Sequence, residues 1–189
     1  MSKKTPAGDD AVFRDALQGL RRGDFSRLEP LFEGGVGAPG AQARIIQARI
    51  IEWCEEGRFS DEPDALAEAL TCACFLGRTS VADYLLKRAV DPSAGAGTGL
   101  DALHWAANRG QLEAVRLLLR RKAPLETRSM YGGTVLGTAV WSAINEPRPD
   151  HPQIIEELLA AGARLGEVDY PTGNVHVDAV LRRHGAGIE

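Results

Sequence analysis

The stretch LDALHWAANRG, residues 100–110, sets an aspartate and a histidine three apart ahead of a run of small residues that ends on glycine. Two readings compete. Asp101 and His104 are an acid–base pair, or they cap and tether a short helix in a scaffold. A catalytic pair occurs once, whereas a scaffold element recurs at a fixed spacing.

The chain repeats. Gly77 and Gly110 lie 33 residues apart, and Ala73, Ala106 and Ala139 keep that step, as do Leu70, Leu103 and Leu136. YLLKRAVDP (84–92) answers LLLRRKAPL (117–125) at the same offset, while ELLAAGARL (157–165) is displaced by 40. The surplus falls in NEPRPDHPQ, where Pro147, Pro149 and Pro152 forbid a continuous helix. A period of this length marks a stack of hairpin units, each too small to bury its own apolar face.

The unit resembles the ankyrin repeat. Asp101-Ala102-Leu103-His104-Trp105-Ala106-Ala107, then Gly110, Val115, Leu118-Leu119 and Ala123, is similar to the family's T-P-L-H-x-A-A-x-x-G…V-x-x-L-L-x-x-G-A, and Gly132-Gly133-Thr134-Val135-Leu136 to its G-x-T-P-L. The resemblance implies an all-α solenoid with short β-hairpin turns. Its units span about 66–98, 99–131 and 132–172, within a repeat region of 63–172. Around it we expect a disordered tail at 1–10, a degenerate N-terminal cap at 11–35 and a C-terminal half-repeat at 173–189. Between cap and repeats, 36–62 holds QARIIQARIIEWCEEGRF, read as an extra amphipathic helix over 41–58 with a linker. YGGTVLGTAVWSAI and YPTGN are also similar to segments of small bacterial ankyrin-repeat proteins of unassigned role.

Asp101 takes the family's threonine position, and aspartate is as good an N-cap. The resemblance makes His104 a tether to the adjacent turn, so the pair is cap plus tether. Ala89 and Lys122 stand where the family ends its second helix on a left-handed glycine, which predicts a strained backbone at both. The third unit has Gly137 in place of the tether histidine. Gly77, Gly110 and Ala143 are expected at equivalent bends.

The remaining chemistry is thin. GAGTG (95–99) lacks the third glycine and preceding strand of a dinucleotide loop and reads as a hairpin tip. Cys72 and Cys74 point to different sides of one helix, and His151, His176 and His184 find at most one acidic neighbour each, so no metal site and no cofactor are expected. Net charge is −4, although Arg109–Arg128 holds six basic and two acidic residues. That window belongs to a solvated helix and carries no interleaved aromatics, so no nucleic acid is expected. No apolar run reaches the ~18 residues of a membrane span. Three cysteines without framework spacing and a start without an apolar segment suit a cytoplasmic protein, and a monomer is expected.

Ankyrin proteins bind partner proteins through the concave face of the first helices and through the hairpin tips. By position these sites are Phe75-Leu76, Asn108-Arg109 and Trp141-Ser142 on the helices, and Gly97-Thr98 and Met130-Tyr131 at the tips. The expected contact residues are Phe75, Asn108, Arg109, Met130, Tyr131 and Trp141, unless the 41–58 helix or the N-terminal segment folds over Phe75. Trp105 falls in a core column instead. The implied function is a non-enzymatic adaptor or inhibitor that binds an unknown protein. The alternative is a small-molecule-binding or enzymatic protein that uses the 145–152 insertion, with Asp150 and His151, and the 170–174 loop.

Overall fold

The computed structural model describes residues 7–36, 45–95, 97, 99–166 and 168–187. Its helices are short because each ends at a coded break. Helix α4 (Pro63–Phe75) stops before Gly77 and α5 (Thr79–Lys87) follows; α6 (Ala102–Asn108) stops before Gly110 and α7 (Leu112–Arg120) follows. Both glycines take positive φ, 68° and 69°. That left-handed turn admits the same pair of backbone bonds at each bend, Gly77 N to Cys74 O with Arg78 N to Ala73 O, and Gly110 N to Ala107 O with Gln111 N to Ala106 O. The bend between α1 (Ala7–Arg22) and α2 (Phe25–Phe32) repeats the pattern through Gly23 and Asp24. The N-terminal segment is therefore a full hairpin.

The hairpins stack in two rows. One row runs α1, α4, α6 and α8 (Val135–Asn145). The other contains α5, α7, α9 (His151–Ala160) and α10 (Val175–Arg183), each packed on the one before. Ala73, Ala106 and Ala139 are buried in the first row, where the absence of bulk lets neighbouring backbones approach. Leu85, Leu118, Leu158 and Leu181 fill the second. The α10 helix packs against α9, in the position of a lone second helix.

Between the cap and the first regular unit lies α3 (Arg49–Glu55), packed between α2 and α5. The expected helix over 41–58 is shorter than its isoleucine pattern implied. Ile45–Ile46 instead form strand β2, paired antiparallel with β1 (Gly35–Val36), and residues 41–44 lie outside the described residues. A β-branched pair suits extended backbone, and Ala48 (φ −58°, ψ 136°) separates it from the helix. Trp53 and Ile50 are fully buried, and Trp53 meets Phe13 edge-on at 5.1 Å. This α1–α3 contact also shortens the expected tail, because α1 begins at Ala7. Asp9, in its first turn, receives Arg49, Arg58 and the Trp53 indole N–H.

Two more features depart from the expectation. Ala143 is no bend: it is buried inside α8, which continues to Asn145 and stops at Glu146. Pro147 follows, and the residue before a proline is driven out of the helical region. Within GAGTG, Gly95 and Gly97 are bonded to α4, with Gly95 O accepting from Thr71 Oγ1 at 2.9 Å and Gly97 N donating to Glu68 at 2.7 Å. A side chain at Gly95 would meet Thr71 and the Ala67 carbonyl. Thr98, paired with Gly97 in the expected tip, lies outside the described residues.

Ala89 and Lys122 hold φ of 60° and 59° where the third and fourth units have Gly162 and Gly185. All four close the second helix with equivalent bonds, such as Ala123 N to Leu118 O and Ala163 N to Leu158 O. A β-carbon in this region costs about 1–2 kcal/mol. Lys122→Gly should therefore raise the melting temperature by roughly 2–4 °C in thermal unfolding; an unchanged or lower value would contradict the alignment there.

Candidate partner interface

Asp101 and His104 are both buried, and every polar atom they carry is spent on holding the fold. Asp101 Oδ1 accepts from the His104 backbone N–H at 2.9 Å and lies 2.8 Å from His104 Nδ1, while its Oδ2 accepts from Thr127 Oγ1 at 2.7 Å. His104 Nε2 lies 3.2 Å from the Gly133 carbonyl in the next hairpin turn. Burial raises the Asp101 pKa, but these bonds outweigh it and hold the carboxyl below its ordinary range. The pair is cap plus tether. In the next unit Thr134 caps Gly137 N at 3.2 Å, and no histidine follows.

A second tether, which sequence reading missed, joins the bends. Gln111 Nε2 donates to the Phe75 carbonyl at 3.3 Å. One unit on, His151 Nε2 lies 3.2 Å from the Asn108 carbonyl, and Asn108 is 33 residues beyond Phe75. Gln111 and His151 are 40 apart, the offset already seen for the second helix of the third unit. That offset was the available signal. His151 is buried, and its Nδ1 accepts from the Arg148 backbone N–H at 3.1 Å, so the proline-rich insertion is pinned over the α6–α7 bend. The Arg148 side chain leaves no room for a β-carbon at Gly110.

Most residues of the alternative site are engaged in the fold. His151 faces inward, and the 170–174 loop spends its polar groups on α10: Thr172 binds Asp178, Asn174 caps His176 N and Val177 N, and Tyr170 accepts from Arg182. His184 lies 2.7 Å from Glu156. Burial pushes the Cys54 thiol up to about 11 and the Cys74 thiol up to about 12, far from a thiolate nucleophile. In the basic window Arg116 pairs with Glu113 and Glu157, and Arg121 with Asp83. Among the described residues no group of three or more His, Cys, Asp or Glu is placed to hold a metal, and no helix is long and apolar enough to cross a membrane.

The six expected contact residues divide in two. Phe75 is half-buried, edge-on to Phe25 at 5.5 Å and to Trp105 at 5.1 Å, with the Arg109 guanidinium 4.8 Å from its ring centre. The N-terminal hairpin, through Phe25, thus covers the aromatic expected to be free. Trp105 joins this trio half-buried and is less enclosed than a core column implied. Asn108 is also engaged, donating to Ser142 Oγ at 2.9 Å, and Ser142 is buried. Trp141, Met130 and Tyr131 remain open, at 53%, 70% and 82% exposure. Met130 and Tyr131 stand on a turn closed by the Arg128–Thr134 bridge, and Met130 N donates to Gly99 O at 2.8 Å, fixing this tip to the preceding inter-helix loop. Ile144, three residues beyond Trp141, is a further exposed apolar side chain that the position-by-position reading omitted.

Comparison with known proteins agrees with this geometry. Residues 70–169 match the family described as Ankyrin repeats (3 copies). Over 106 residues, 56% of the chain, the sequence is 36% identical to the Ankyrin repeat and KH domain-containing protein mask of Drosophila melanogaster. The match spans only 2% of that much longer protein.

His151 gives the bend a pH dependence. Burial lowers its pKa below the ordinary 6.5, outweighing the bond to Asn108. The unfolded chain therefore takes up a proton near pH 6.5 that the folded chain refuses, so the stability His151 contributes is complete above that pH and is lost as pH falls below it. Glutamine can serve both partners without titrating. Thermal unfolding should show a smaller loss of melting temperature between pH 7.5 and 5.5 in His151→Gln than in the parent; equal losses would contradict this role.

Proposed function

Because the chain belongs to the ankyrin-repeat family, we propose that it is a non-enzymatic protein-binding module, an adaptor or inhibitor acting as a cytoplasmic monomer. The observation that carries this reading is the exposure of Trp141, Tyr131 and Met130, large side chains that the fold does not use for its own core. Aromatic residues are the commonest energetic anchors of protein interfaces, and exposed apolar clusters mark interaction surfaces. Each is presented on a fixed support. Trp141 stands on a buried helix, and the Met130–Tyr131 tip is tied to Gly99. Pre-organisation of this kind lowers the entropic cost of docking. Phe75, Asn108 and Arg109 take a secondary part, shaping the floor beside the exposed anchors.

A Trp141→Ala, Tyr131→Ala double variant should keep the parent's circular dichroism and unfold cooperatively, because neither ring is buried. In affinity capture from the native host it should lose most of the bound partner, since anchors of this type contribute about 2 kcal/mol or more each. Undiminished capture by the folded double variant would refute the assignment of these side chains.

A further inference from the structure

Among the described residues the first-helix row ends at α8. Two successive helices of the row each lay a side chain on the next hairpin. Phe75 of α4 meets Trp105 and Arg109 of α6, and Asn108 of α6 meets Ser142 of α8. The next member of that series is Trp141, 33 residues beyond Asn108. Among the described residues no further first helix follows α8. Among the described residues none lies between Ala160 and Val175, and α10 packs on α9 in the other row. Trp141 is therefore exposed, with no described helix to receive it, and Ile144 is exposed beside it.

We propose that this ledge seats a helix of the partner protein, laid against α8 where a fourth first helix would stack; this rests on the protein-binding reading above. Continuity with the row fixes the occupant's form. The incoming helix meets the exposed Trp141 and Ile144 of α8 and must leave a gap for the indole. Its chemistry follows from composition. None of the residues of α8, VLGTAVWSAIN, is charged, and the exposed ones are Trp141, Ile144 and Asn145. The matching surface is thus an uncharged, largely apolar stripe on an amphipathic helix. Charged groups enter only past the end of α8, at Glu146, Arg148 and Asp150. A strongly acidic or basic segment has no counterpart on the ledge itself.

The test fills the ledge from within. A copy of residues 99–111, with phenylalanine at its tryptophan and flexible Gly-Ser flanks, is inserted between Gly166 and Glu167 of the full chain. A matched variant carries a Gly-Ser run of equal length and controls for the insertion itself. Acrylamide quenching reports chiefly on Trp141, because Trp53 is buried and Trp105 half-buried. The helix insertion should shield the tryptophan fluorescence and abolish capture of the host partner, while the Gly-Ser variant retains both quenching and capture. Undiminished quenching with the helix inserted overturns the proposal, since the ledge then accepts no helix. Shielding with capture intact also overturns it and leaves the protein-binding reading standing on the Met130–Tyr131 tip. A doubling of the parent's mass in light scattering, reversed by the inserted helix, assigns the ledge to a second copy and overturns it too. Failure of the parent itself to capture any protein is a separate result, which removes the protein-binding reading and this proposal with it.

Discussion

The structure depends on a bend closed by two backbone hydrogen bonds around a residue with positive φ. At Gly23, Gly77 and Gly110 the bonds join equivalent atoms, and this repetition makes the hairpins superposable. Superposable hairpins stack in register, and registered stacking turns isolated alanines and leucines into continuous buried columns. No hairpin of this size buries enough apolar surface to stand alone. Local backbone geometry and long-range burial therefore support one another, and the loss of either removes both.

Polar tethers add direction to this stack. Asp101 and His104 link a helix start to the following turn, and Gln111 and His151 link a bend to the helix end of the preceding unit. Each buried polar atom in these links has a partner, as buried polar groups require. They also account for the polar groups of the isolated motifs. The acid–base pair, the histidine of the insertion and the polar loop before α10 are all occupied in joining elements.

What was legible in the sequence followed from periodicity. Alanines, leucines and turn glycines at a constant step marked the units, and the ankyrin resemblance implied the left-handed region where Ala89 and Lys122 are found. Legibility ended where a residue's environment is set by a segment outside the repeat. Phe75 is covered by Phe25, which belongs to the irregular N-terminal hairpin, so no repeat alignment revealed it. The Ile45–Ile46 pair fits a helical face and a strand equally well, and its pairing with Gly35–Val36 is a non-local choice. Ala143 was expected to bend by analogy, yet the break awaits Pro147. Trp141 is exposed, as its position implied, but the surroundings that leave it open lie past the last regular hairpin, where the repeat pattern gives no guide.

The central claim is that equivalent bends, each locked by the same bonds, carry the stack. Residue-resolved amide hydrogen exchange reads those bonds directly. The account predicts that the amides of Arg78 and Gln111, which sit in chain turns, are protected to nearly the same degree as those in the middle of α4 and α6. Exchange at the rate of an open loop at either amide, with the flanking helices still protected, would contradict it.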